Sequence, residues 1–297
     1  MILQFGVHAQ IDNLVTLIGS RNLAEARSLA TISQVQSEYR AFIEHLQRRV
    51  PSGKPGVVGF VTDFETAKRL RSLFVNDSLI DDKAQAEVIA EGREPDIAVK
   101  QQLITRALAE LSLYSRDHRV LFDTVITDIL ILPSKVARAG STSQAIGVIW
   151  ANPRIDYTLH DVIELLVHEL THHAMFIDEI RYSHYDYGSI VDTSTWARSA
   201  ILNVPRPLDK VLHSVVVATE ILLLREQCLG HPIRPAVHPP TQVMICQLLD
   251  ALSSMEEILN KLSDHRAVFS ARAWKVLENV KRQALILRRN HRPASIH

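Results

Sequence analysis

Residues 161–180 read DVIELLVHELTHHAMFIDEI. The apolar residues of this stretch recur at helical spacing over a length that strands rarely reach. One amphipathic helix is predicted over Asp161–Ile180, opened by Asp161 and Glu164 as a capping box. Val162, Ile163, Leu165, Leu166, Val167 and Leu170 mark it as buried. Inside it lies His168-Glu169-Leu170-Thr171-His172, the pattern HExxH. On a helix, positions i and i+4 share a face, so two imidazoles can reach one metal. Glu169 lies beside them and can hold or act on a metal-bound water. Buried polar groups need compensation, and a divalent transition metal supplies it. His173 points about 100° away around the helix, which assigns it a supporting rather than a ligating task.

Thr124–Leu132 (TVITDILIL) and Ala145–Trp150 (AIGVIW) read as two short strands, separated by a Gly/Ser/Thr loop at Arg138–Ser143. They stand just before the motif helix, as strands do in zincin-type folds. Upstream, residues 10–50 are helical in pattern, with Leu29, Ile32, Val35, Tyr39, Phe42 and Leu46 on one stripe. Pro51–Pro55 punctuates the chain, and Val57–Val61 is a strand or the start of a helix. Residues 64–75 and 82–116 look helical, with a break near Gly92–Pro95. Downstream, residues 181–204 are too polar for a core and long for a connection. They read as a lid or a substrate-facing loop offering Tyr182, His184 and Tyr185. A helix over Leu208–Cys228, a Pro-rich loop at 232–240 and two further helical segments complete the chain, and the basic end KRQALILRRNHR (281–292) reads as a solvated helix terminus. The expected fold is mainly α with a small β-sheet. A helical N-terminal region (1–120) and a metal-binding domain (121–297) are predicted, or one continuous domain.

Composition excludes several functions. The 297 residues fit one large domain or two small ones. Lys plus Arg and Asp plus Glu are both 33, so no net field draws the chain to nucleic acid or anionic lipid. Two cysteines, Cys228 and Cys246, make no disulfide framework and suit a reducing compartment. No secretory signal is expected from the start MILQFGVHAQIDNL, which has no basic n-region or long apolar run, and no transmembrane helix is expected. A cytoplasmic protein with neither nucleic-acid nor membrane partners is expected.

A metal at His168 and His172 needs a third ligand. The extension HExxHxxGxxH is absent, since Met175 and Phe176 follow. The next helix offers His213 and Glu220, seven residues apart on one face. Two turns separate them by about 10 Å, so only one can serve. Glu220 would make a His2Glu zinc hydrolase like thermolysin, a gluzincin-type peptidase with Glu169 as general base. His213 would make a three-histidine site. Asp178 and Glu179 read as solvated, and Asp186, Tyr187 and Asp192 are weaker options.

Arg206-Pro207-Leu208 followed by His213, the loop Gly140-Ser141-Thr142-Ser143, and the strand through Gly147 and Trp150 just before HExxH together resemble a known family. It is that of the bacterial HExxH-type peptide-modifying proteins, and the resemblance covers residues 124–228. That family is described as 2-oxoglutarate-dependent peptide β-hydroxylases of natural-product biosynthesis. The resemblance implies Fe(II) rather than zinc, held by His168, His172 and His213, with 2-oxoglutarate as co-substrate. It implies a peptide or amino-acid-like substrate, including a precursor or carrier-bound peptide. Arg206 would pair bidentately with the distal carboxylate of 2-oxoglutarate. Ser141 and Thr142 would bind a carboxylate or shape their loop. Glu169 would orient a histidine or water instead of acting as a hydrolytic base.

Overall fold

The computed structural model describes residues 1–20, 31–75, 89, 94–134, 137–190, 192–262 and 268–291. The expected helix at 82–88 and the start of the expected break at Gly92, together with Leu29 and Arg292, lie outside them. The fold is mainly helical with a small sheet. The chain divides into two compact units between Arg181 and Tyr182, with Met1 and Leu3 assigned to the C-terminal one. Residue 120 lies inside a continuous helix, Arg116–Val125. Among the described residues, no helix is long and apolar enough to cross a membrane.

The N-terminal unit begins with α1 (Ile2–Phe5), α2 (Val7–Gly19) and α3 (Ile32–Gln47). Thr31 caps α3 in a full capping box with Gln34. Val35, Tyr39 and Phe42 of the expected stripe are buried, but Ile32 and Leu46 at the helix ends are exposed. The short run after Pro55 resolves as strand β1 (Gly59–Phe60), followed by α4 (Phe64–Val75), α5 (Ile97–Tyr114) and α6 (Arg116–Val125).

Strands β2 (Asp128–Leu130), β3 (Ala139–Gly140) and β4 (Val148–Ala151) complete a sheet of order β1-β2-β4-β3. The β1–β2 and β2–β4 pairings are parallel; β3 is an antiparallel edge strand on β4. Every residue of β2 and β4 is buried, as in parallel sheets covered on both faces. Leu130, Val148 and Trp150 join Val61, Leu70 and Phe74 in one apolar cluster. By strand alternation, Ile129 and Ile149 face the other way.

The expected strands are shortened for local reasons. Thr124 and Val125 finish α6, and Ser143–Ala145 forms a 3-10 turn capped by Thr142. Gly147 then adopts φ +85°, a conformation that favours glycine and sets the direction of β4. Arg138–Ser143, expected as loop alone, contributes β3.

The motif helix α7 spans Leu159–Tyr182, starting before the predicted Asp161. Its capping box is Thr158 with Asp161, not Asp161 with Glu164. The Asp161 N–H donates to Thr158 Oγ1 at 3.1 Å, and Asp161 Oδ2 accepts from the Thr158 N–H at 3.1 Å. Asp178, expected to be solvated, is fully buried and accepts from Asn13 Nδ2 at 2.7 Å.

The C-terminal unit holds α8 (Tyr187–Ile190), the antiparallel pair β5 (Ala197–Arg198) and β6 (Pro205–Arg206), α9 (Leu208–Leu224), α10 (Thr241–Lys261) and α11 (Ala271–Asn290). Helix α9 is buried on nearly every side between α10 and α11, as its apolar composition requires. It ends in a π-helical turn, Arg225–Leu229, where one continuous helix to Cys228 was expected. The segment read as a lid is partly core. His184 and Tyr185 are buried, and their backbone pairs with residues 268–270 through Asp186 N–H to Val268 O and Ser270 N–H to His184 O. Tyr182 is exposed under the Arg272 guanidinium, 4.8 Å from its ring centre. Asp186 and Asp192, weak ligand candidates, hydrogen-bond the backbone of the turns they open. Both cysteines are free thiols, and Cys246 lies exposed on α10.

Candidate metal centre

Along α7 from Asp161 to Asp178, every residue is buried except His168, His172 and Phe176, which are partly open. Spacing of four places these three on one stripe. The HExxH face is therefore the one opening on an otherwise enclosed stretch of helix. His168 Nε2 and His172 Nε2 lie 3.2 Å apart, with ring centroids at 5.0 Å. With metal–nitrogen bonds of about 2.0–2.1 Å, that separation closes an angle of about 100° at a shared ion. The separation of the two nitrogens thus fits one shared metal. Phe176 lies parallel to the His172 ring, with centroids 6.3 Å apart.

Glu169 points elsewhere on the helix and is buried. Ser141 Oγ donates to its Oε2 at 2.6 Å. Burial pushes the Glu169 carboxyl up to about 8, against the Ser141 hydrogen bond, which pulls it down. Ser141 thus has a task inside the protein, tying the loop after β3 to the motif. Thr142 caps the 3-10 turn through Gln144 N–H.

His173 is fully buried and joins the helix to the sheet. Its Nδ1 accepts from the Gly147 N–H at 3.2 Å, and its Nε2 lies 3.1 Å from Val148 O, the donor geometry of a neutral imidazole. Burial pushes the imidazole down to about 3, against the hydrogen bond to Val148. His173→Ala is expected to destabilise the protein by about 2–4 kcal/mol, from an unsatisfied buried amide plus a cavity. Thermal unfolding followed by circular dichroism checks this, and an unchanged midpoint would contradict it.

Beneath Gly147 lies a buried polar network that the sequence reading did not single out. Arg49 pairs with Asp128 at the head of β2. Its Nη2 also donates to Thr127 Oγ1 at 3.2 Å and to Ile146 O at 3.1 Å, while Asp128 Oδ1 accepts from Ser52 N–H at 2.7 Å. The signal was a lone carboxylate in the apolar run TVITDILIL, which burial obliges to find a cation.

The remaining predicted residues belong to the C-terminal unit. His213 is buried on α9 and held well below the usual imidazole range by burial, then by the charges of Lys210, His184 and Arg206. It is therefore neutral, the form a metal ligand requires. Arg206 is partly buried on β6, opposite Ala197. Glu220 is fully buried, and its carboxylate accepts from the Leu3 N–H at 2.8 Å and from the Met1 amino group. The structure thus brings His168, His172, Glu169 and Ser141 together in one unit, and His213 with Arg206 in the other.

Comparison with known proteins yields no matching family model and no matching curated sequence.

Proposed function

We propose that this chain is a metal-dependent oxygenase that uses Fe(II) and 2-oxoglutarate to hydroxylate a carbon of a peptide or amino-acid-like substrate. The observation that carries the metal is the His168–His172 pair, 3.2 Å apart on the one open stripe of a buried helix. Imidazoles suit iron, zinc and copper alike, so the choice of iron rests on the resemblance at Arg206-Pro207-Leu208 and His213. Bound iron with 2-oxoglutarate and O2 supplies C–H hydroxylation, releasing succinate and CO2. The residues of the chain hold and orient. His168 and His172 would ligate the ion, and the resemblance implies His213 as the third ligand. Glu169, fixed by Ser141, shapes the ligand face from the side. Arg206 receives the distal carboxylate of 2-oxoglutarate. The zincin-like description belongs to the same proposal and is supported by β3 and β4, which deliver Ser141 and Gly147 to the motif helix. A cytoplasmic setting in natural-product biosynthesis fits the two free thiols.

The zinc-peptidase alternative keeps HExxH but needs Glu220 as ligand. That carboxylate already accepts the Leu3 amide, which favours His213. The test is binding of 2-oxoglutarate to the Fe(II)-loaded chain by calorimetry under nitrogen. Arg206→Ala is expected to weaken it by about 10–100-fold, the worth of a charge-assisted hydrogen bond. Equal affinity in both proteins would remove Arg206 from the site. No binding at all, with zinc-dependent peptidase activity lost in Glu169→Gln, would replace the oxygenase with the hydrolase.

A further inference from the structure

The C-terminal unit carries a second group of metal donors that HExxH does not involve. Glu226 lies on the π-helical turn after α9, His231 in the loop that follows, and His291 just past the end of α11. His291 Nε2 is 2.8 Å and His231 Nε2 is 3.2 Å from the same oxygen, Glu226 Oε2. The two imidazoles meet edge to face with centroids 4.5 Å apart. All three donor atoms fall within 4.8 Å of one another. A tetrahedral zinc with bonds of about 2.0–2.1 Å spaces its ligand atoms by about 3.3 Å, so small adjustments admit the ion.

The surroundings orient the donors as outer-shell partners do at metal sites. His231 Nδ1 lies 3.1 Å from Thr241 Oγ1, which leaves Nε2 directed at Glu226. Asn290 Nδ2 donates to the second carboxylate oxygen, Oε1, at 2.8 Å. Thr241 is itself fixed by the fully buried Arg225, whose Nη1 also donates to Pro239 O at 2.8 Å. The π turn that presents Glu226 is a rare local geometry, frequent at functional sites. The three side chains are partly exposed, so an ion enters from solvent and retains water in a fourth position.

We propose that Glu226, His231 and His291 form a second cation site, for Zn2+ or a divalent transition ion of like preference, which clamps the end of α11 to the turn after α9. The alternative is a carboxylate hydrogen-bonded by both histidines, with no ion.

Zinc titration of the full chain against a chromophoric chelator decides between them. The proteins compared are wild type, His231→Ala/His291→Ala, Glu226→Gln, and His168→Ala/His172→Ala. The expected result is a zinc that persists in His168→Ala/His172→Ala, weakens by roughly 1,000-fold or more in His231→Ala/His291→Ala, which loses two ligands, and also weakens in Glu226→Gln. Zinc stoichiometry and affinity unchanged by His231→Ala/His291→Ala would overturn the site. If His168→Ala/His172→Ala does not fold, wild type against His231→Ala/His291→Ala still decides. Loss of one zinc equivalent supports the site and no loss removes it.

Discussion

His172→Ala is expected to abolish stoichiometric iron at the HExxH helix, weakening the metal on the order of 1,000-fold. Outer partners of a ligand are alone worth about 10–100-fold, and a ligand is worth more. His172 supplies one of two nitrogens that lie close together on adjacent turns, so its removal leaves a single metal-ligating nitrogen of the pair. The loss carries a stability signature. Wild type at metal concentrations 1,000-fold above its Kd gains about 4 kcal/mol on loading, and the variant gains almost nothing over the same range. Metal analysis after gel filtration, paired with melting curves with and without Fe(II), reads both effects. Phe176→Leu, on the same stripe but with no donor atom, is the control expected to keep the metal. Equal iron content in His172→Ala and wild type would mean the pair does not hold the ion.

The second large effect is expected away from the metal. Arg49→Met should destabilise the N-terminal unit by about 3–5 kcal/mol, because it strands Asp128 as an uncompensated buried charge. That corresponds to a fall of roughly 10 °C in the melting midpoint. Adding Asp128→Asn should recover part of the loss, since the double variant buries no unpaired charge and keeps an oxygen for Ser52 N–H. A single variant as stable as wild type, or a double variant worse than the sum of its parts, would show that the pair does not hold the head of β2. The network reaches the site through Thr127, whose hydroxyl and backbone N–H both donate to Gly147 O, while the Gly147 N–H donates to His173.

What could be read from the sequence follows from how local each interaction is. The motif helix was legible because twenty residues of apolar period and the HExxH spacing are contained within it. Its start was misplaced because Thr158 and Asp161 make a box one turn before the Asp161–Glu164 pair, and both fit the pattern. The strands were found but drawn too long, since α6 runs on through Val125 and Gly147 turns the chain before β4.

Burial of polar residues was the least visible feature. Asp178 depends on Asn13, 165 residues away. His184 and Tyr185 enter the core by backbone pairing with residues 268–270. Glu226 meets His291 65 positions later. No periodicity reports such contacts. Within the site, the helical spacing gave His168, His172 and the supporting task of His173. The hydrogen bond from Ser141 to Glu169 needed the edge strand β3, which the Gly/Ser/Thr composition of that loop concealed.

The most direct test of the proposed oxygenase is an anaerobic titration of the Fe(II)-loaded chain with 2-oxoglutarate, followed by visible absorption. A weak metal-to-ligand charge-transfer band is expected to grow to one equivalent and to be missing in His172→Ala. No band in wild type, with tightly held zinc and peptide hydrolysis lost in Glu169→Gln, would contradict the oxygenase and leave HExxH as the centre of a hydrolase.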